Sequence, residues 1–151
     1  MKGLSFFVGG ELFAVDVNRV EKISRKMLIT KVLSAPEAII GITSLKGNIV
    51  TIFSLFRLLG REENDAAGII NAVILKSLSN EEDKMGFVID KPGELVELDD
   101  ETICPPSLAT GAEDSYCISG VAELEDRLYR IIDIDSIINK YKSNFSNGGS
   151  Q

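Results

Sequence analysis

The chain has 151 residues, 44% of them apolar, with 23 acidic against 16 basic side chains, a formal charge of −7 and no histidine. Without histidine there is no Ser-His-Asp or Cys-His pair, no imidazole metal ligand and no histidine phosphate acceptor, and an acidic surface is unsuited to duplex nucleic acid, whose phosphates attract bases. Two cysteines are too few for a disulfide framework, Leu4–Val8 is too short for a secretory leader, and no stretch nears the roughly 18 apolar residues of a membrane span, so the composition points to a cytoplasmic protein with reduced thiols and no direct membrane insertion.

Isoleucine and valine number 28 against 15 leucines and fall in short runs between Gly, Pro, Asn, Asp and Glu clusters, the pattern of a mostly β fold. Leu4–Val8 and Leu12–Val17 flank Gly9-Gly10-Glu11 and predict a hairpin, with Phe13, Val15 and Val17 alternating onto one face. Asn18 stands three residues before Glu21, a capping-box spacing that predicts one helical turn with Val20 and Ile23 on its inner side. A second short helix is expected between Ser34 and Gly41, with Pro36 in its first turn and Gly41 as its stop.

Ile42–Leu45 and Ile49–Phe53 predict strands joined through Lys46-Gly47-Asn48, followed by an apolar turn over Leu55–Leu59 that ends at Gly60. Residues 61–68 form a polar connector. Further strands are expected at Ile69–Leu75, Met85–Ile89, Leu95–Leu98, Cys117–Leu124 and Leu128–Ile134, with Pro92-Gly93 and Cys104-Pro105-Pro106 as breaks. Asp135 is expected to cap a last helix from Ser136 to Lys142, ahead of a tail at 143–151 whose Ser, Asn, Gly and Gln predict disorder.

Sliding the sequence on itself by 79 positions pairs Gly41-Ile42 with Gly120-Val121, Leu45 with Leu124, Ile49 with Leu128, Ile52-Phe53 with Ile131-Ile132, and Leu58-Leu59 with Ile137-Ile138, without a gap. A hairpin followed by a short helix therefore occurs twice. The turns differ in chemistry, Lys46-Gly47-Asn48 facing Glu125-Asp126-Arg127. Two similarly built β subdomains follow from this, each too small to bury much alone.

The ordered segments Phe13-Ala-Val-Asp-Val17, Val20, Ile23, Ala35-Pro36, Ile40-Gly-Ile-Thr-Ser-Leu-Lys-Gly-Asn-Ile-Val50, Leu55, Gly86-Phe-Val-Ile-Asp90, Gly120-Val and Ile132-Asp-Ile134 together resemble the CheW-like domain family of bacterial chemotaxis adaptors. The resemblance implies two five-stranded SH3-like β-barrel subdomains packed together, with short connecting helices and a C-terminal helix. It places a single domain at 1–142, with the second of its two interwoven subdomains at about 61–124. It also implies a non-enzymatic scaffold with no cofactor. That scaffold is a stand-alone adaptor joining the cytoplasmic tip of methyl-accepting chemoreceptors to the regulatory domain of a chemotaxis histidine kinase, in arrays that hold it at the membrane through its partners.

By the same resemblance Val20, Lys22, Ile23, Gly41 and Lys46 are receptor-facing candidates, and Gly86, Phe87 and Gly120 are kinase-facing candidates. The chain departs from the family in having Lys46 for an arginine, Lys22 for an acid, and Thr51 and Ser54 for Pro and Asp. An acid and an arginine could pair; two lysines cannot, and lysine lacks the planar fork that grips a carboxylate at two points.

Other readings compete with these. Val20 and Ile23 are also what a core needs, Gly41 a helix stop, Gly86 and Gly120 bends, and Phe87 a packed ring. An adaptor for a chemosensory-like pathway other than swimming shares every feature above. Asp133 and Asp135 with Glu123 or Glu125 could be arranged as the oxygen ligands of a small metal-dependent hydrolase. Asp beside Ser136-Ile137-Ile138 is nevertheless what a helix cap requires, and no metal site is assigned. A single-stranded nucleic-acid binder would need a basic groove with stacking aromatics, against 7% aromatics and a negative charge here.

Overall fold

A computed structural model describes residues 1–61, 68–77, 84–105 and 115–141. Its strands are β1 (Lys2–Val8), β2 (Glu11–Asp16), β3 (Val20–Leu28), β4 (Ile39–Leu45), β5 (Asn48–Phe53), β6 (Ile69–Leu75), β7 (Lys84–Ile89), β8 (Lys91–Glu97), β9 (Ile118–Leu124) and β10 (Arg127–Ile132), with helices α1 (Leu55–Leu58) and α2 (Ile134–Tyr141). They form two five-stranded sheets, ordered β8-β1-β2-β10-β9 and β3-β6-β7-β5-β4. The chain divides into two compact units, one of Met1–Arg19 with Asp90–Lys140 and the other of Val20–Ile89 with Tyr141. These bounds differ from the 61–124 expected for the second subdomain, because β6 and β7 return to the sheet of β3 while β8, β9 and β10 return to that of β1. The expected tail at 143–151 and most of the 61–68 connector lie outside the described residues.

The repeat is structural. Adding 79 to the bounds of β4 and β5 yields those of β9 and β10, and each hairpin continues into a helix. Each second strand then pairs in parallel with a strand distant in sequence, β5 with β7 and β10 with β2. Both turns hold two residues at positive φ, Lys46 and Gly47 in one and Glu125 and Asp126 in the other, the twist that suits a two-residue hairpin. The backbone N–H of Ser54 donates to the Ala38 carbonyl at 2.9 Å, and at the same offset Asp133 donates to Cys117 at 2.8 Å.

The first unit buries Leu12, Ala14, Val96, Leu98, Ala122, Tyr129 and Ile131 as one cluster. Its Phe6 and Phe13 rings stack 6.2 Å apart. The second unit buries Val50, Ile52, Ile70, Ala72 and Ile74, and its Phe53 and Phe87 rings lie 6.5 Å apart.

Four local expectations are corrected. The turn expected around Val20 and Ile23 is a 3-10 turn at Val17–Arg19, after which Val20 opens β3. There Asp16 Oδ1 accepts the Asn18 N–H at 2.9 Å, while Glu21 is taken by Lys84 Nζ at 2.6 Å, so no capping box forms. No helix lies between Ser34 and Gly41, because Ser34 has a φ of 66°, far from the extended backbone of an N-cap, and Gly41 is the third residue of β4. Pro92-Gly93 lies inside β8, where a sheet edge and a register shift against Leu4 and Phe6 tolerate the missing N–H. Ile134 starts α2 instead of ending a strand, and its cap is Asp133, whose Oδ1 accepts the Ser136 N–H at 3.1 Å. Asp135 instead meets Arg19 at 3.1 Å.

The Asp133 cap has a measurable consequence. Ser54 Oγ caps α1 through the Arg57 N–H at 3.3 Å, at the position 79 residues earlier, so the two helices share one device. Eight residues make too short a helix to persist without tertiary support and a cap. Asp133→Ala should cost about 0.5–2 kcal/mol in urea unfolding. Asp135→Ala, which loses only a surface ion pair, should cost less than Asp133→Ala, and the reverse order would show that the cap is misassigned.

Candidate functional site

In the second unit β3 and β4 are the two edges of the sheet, and they meet at the last residue of β3 and just beyond it. Thr30 and Ile42 exchange backbone hydrogen bonds at 2.8 Å in both directions, and Thr43 Oγ1 donates to the Leu28 carbonyl at 2.6 Å. Elsewhere the edges part, leaving an open groove of about 770 Å³ whose lining includes Lys22, Ile23, Arg25, Lys26, Leu28 and Leu45. Gly41 makes the junction possible. A Cβ there would stand 2.5 Å from the Thr30 carbonyl oxygen, so only glycine lets the Ile29–Thr30 segment lie against β4.

The charge of the groove comes from a bulge. The β3–β6 register shifts between Ser24, opposite Ala72, and Met27, opposite Ile70. The inserted Lys26 takes a φ of 57° and donates its N–H to Asn71 Oδ1 at 3.1 Å, and both Arg25 and Lys26 are exposed. No acidic side chain lines the groove. Lys46 follows Leu45 at the tip of the β4–β5 turn. Among the described residues, Lys22, Arg25, Lys26 and Lys46 make no ion pair. A chain of net charge −7 thus carries a basic, partly apolar edge on this unit, with Leu28 73% exposed.

Of the receptor-facing candidates, Lys22 and Ile23 line this groove. Val20 lies on the same strand opposite Leu75, Gly41 is buried at the junction, and Lys46 is at the adjoining turn. The kinase-facing candidates are not brought together within one unit. Gly86 and Phe87 lie in β7, flanked by β6 and β5, with Phe87 fully buried and a Cβ on Gly86 only 2.6 Å from the Val73 carbonyl oxygen. Gly120 is buried in β9 of the first unit, where a Cβ would meet Ile103 Cγ2 at 2.5 Å. These three positions hold strands together and present no side chain at the surface.

Arg25, Lys26 and Thr30 belong to the site and were not singled out by sequence. The available signal was three bases within five residues of an apolar run, Lys22 to Lys26. Of the carboxylates weighed as metal ligands in the first unit, Asp133 caps the helix and Asp135 pairs with Arg19. Among the described residues no group of three or more His, Cys, Asp or Glu side chains could hold a metal ion. Neither Cys104 nor Cys117 forms a disulfide.

The CheW-like domain model matches residues 2–142. "Chemotaxis protein CheW" of Klebsiella aerogenes is 27% identical over 136 residues, covering 89% of this chain and 80% of that protein. The Bacillus subtilis protein of the same name is 22% identical over 142 residues, covering 94% and 89%. The crystal structure of the scaffolding protein TtCheW from Thermoanaerobacter tengcongensis superposes with a TM-score of 0.73 at 27% identity, covering 87% of this chain and 88% of that one. With two five-stranded sheets and a family match spanning nearly all residues, the chain belongs to the CheW-like domain family and is a chemotaxis scaffold, not an enzyme.

Proposed function

We propose that this chain couples the cytoplasmic tip of a transmembrane chemoreceptor to the regulatory domain of a chemotaxis histidine kinase, within the cytoplasm at receptor arrays. The observation that carries the reading is the open β3–β4 edge, with exposed Leu28 beside Lys22, Arg25 and Lys26. It offers apolar area for affinity and unneutralised charge for orientation, the usual division of labour at a protein interface. Val20, Lys22, Ile23, Gly41 and Lys46 would serve the receptor. Gly86, Phe87 and Gly120 would serve the kinase by shaping the strands that meet it. No helix among the described residues is long and apolar enough to cross a membrane, so on this reading membrane association comes through the receptor.

The decisive experiment reconstitutes the three components. Purified protein should capture both a receptor signalling fragment and the kinase, and should change the rate of kinase autophosphorylation in their presence. Capture of neither, with an unchanged rate, would overturn the reading. Lys46→Glu should weaken receptor-fragment binding about fivefold, the size of one reversed surface charge, while kinase binding and the melting temperature hold. Equal loss of both partners would make Lys46 a structural residue.

A further inference from the structure

The residues of β3 conflict with the strand they pair with, and the bulge is where the conflict is resolved. Lys22 is opposite Ile74 and Ser24 opposite Ala72, and Ile70, Ala72 and Ile74 are the positions that β6 buries in the core cluster of this unit. Side chains alternate along a strand, so an unbroken register would set Lys26 opposite Ile70 and press an ammonium group against the core. The extra residue removes that clash. Met27 takes the place opposite Ile70 and packs against the cluster, while Arg25 and Lys26 are both exposed and Leu28 follows them at 73% exposure.

Packing accounts for a bulge at this point but not for the residue that fills it. Lys26 holds a φ of 57°, in the left-handed region that a Cβ disfavours and glycine accepts freely. The bond that anchors the bulge, from the Lys26 N–H to Asn71 Oδ1 at 3.1 Å, belongs to the backbone, so glycine would keep it. Among the described residues the Lys26 ammonium makes no ion pair, and neither do Lys22 and Arg25, which line the same groove. The acid within β3, Glu21, is held by Lys84 Nζ at 2.6 Å, and no acid lines the groove. Backbone strain and mutual repulsion of the bases both oppose folding, and a side chain kept against both points to a role outside the fold.

We propose that the Arg25–Lys26 bulge is the specificity determinant of the β3–β4 groove, admitting a receptor tip that presents carboxylates opposite it and rejecting one that does not. This rests on the receptor reading above and adds the chemistry of the docking face. Bases without a partner inside the chain are complementary to an acidic surface, whereas a face lacking carboxylates would leave Lys22, Arg25 and Lys26 desolvated and unpaired. Arg25 can grip one carboxylate at two points, and Lys26 adds a compact charge without a fixed geometry. Leu28, with Ile69 opposite it at 58% exposure, supplies apolar contact area beside the bases.

Titration calorimetry of the full chain with a receptor signalling fragment and, separately, with the kinase tests it, alongside circular dichroism melts. Lys26→Gly relieves the left-handed position, so its melting midpoint should hold or rise by about 2–4 °C, while receptor-fragment binding weakens about threefold. Lys26→Arg, which keeps the charge, should bind within about twofold of the parent. Arg25→Gln/Lys26→Gly should bind the fragment about tenfold more weakly, and the parent should lose more affinity than this double variant between 0.15 and 1 M sodium chloride. An acid-to-amide scan of the fragment should find at least one carboxylate whose loss weakens the parent and leaves the double variant unchanged. Kinase binding should stay constant throughout. A parent that captures the kinase but no receptor fragment would overturn the receptor reading and this inference with it. A parent and double variant that bind the fragment equally, a scan in which no carboxylate couples to the bulge, or a Lys26→Gly chain that melts several degrees early would overturn this inference and leave the receptor reading standing.

Discussion

Gly41→Val should lower the melting midpoint by about 10 °C, corresponding to roughly 3–5 kcal/mol in a chain of this size. The first added carbon would stand 2.5 Å from the Thr30 carbonyl oxygen and 2.7 Å from Ile29 Cγ1. A backbone oxygen held by its own hydrogen bond to Ile42 has no rotamer by which to yield, so the Ile29–Thr30 segment must leave β4. Overpacking alone costs about 1–3 kcal/mol, and two exchanged hydrogen bonds add about 0.5–1.5 kcal/mol each. The substitution would also open the groove at its closed end, so binding through the β3–β4 edge should fall with stability.

Gly120→Val is the internal comparison. Its first carbon would meet the Ile103 Cγ2 methyl at 2.5 Å and the Cys104 carbonyl oxygen only at 3.0 Å. A methyl can turn about χ1 where a carbonyl cannot, so Gly120→Val should cost less than Gly41→Val. Differential scanning calorimetry of both checks the order, and a Gly41→Val midpoint within 2–3 °C of the parent would show that the junction is not closed as described.

Phe53→Ala should cost about 3–5 kcal/mol in urea unfolding, a third or more of the stability of an ordinary domain. Phe53 is fully buried at the end of β5, opposite Phe87 in the parallel pair, with the rings tilted by 53° at 6.5 Å. Removing the ring deletes its transfer free energy and leaves a cavity between two strands whose hydrogen bonds prevent collapse. Phe53→Leu, which keeps most of the volume, should cost about 1.5 kcal/mol or less. If alanine and leucine prove equally mild, the ring is not packed as the structure has it.

Much of this architecture was legible from the residues alone, wherever the signal is local. Gly9-Gly10 and Lys46-Gly47 announce hairpins because few residues accept positive φ, and the hairpins lie where they were expected. The 79-residue repeat survives as identical strand bounds because both copies must present the same apolar face to a core. The missing histidine removed whole classes of chemistry, and the ordered segments around Ile40–Val50 pointed to the family before any strand was located.

What failed was decided by partners distant in sequence. Val20 and Ile23 are spaced as well for a helical turn as for a strand, and the choice was made by β6, where Val73 pairs with Ile23. Phe87 is fully buried and Gly120 is closely approached by Ile103, so their place in the packing, which the residues alone did not give, is a property of the surrounding chain. The bases from Lys22 to Lys26 are visible in the sequence, but the bulge that exposes Arg25 and Lys26 at the edge of β3 exists only once β3 pairs with β6. A sequence records each residue's own preference, whereas charge and hydrogen bonding depend on which neighbours the fold supplies. That is why the scaffold could be read from the residues and the basic β3–β4 groove could not.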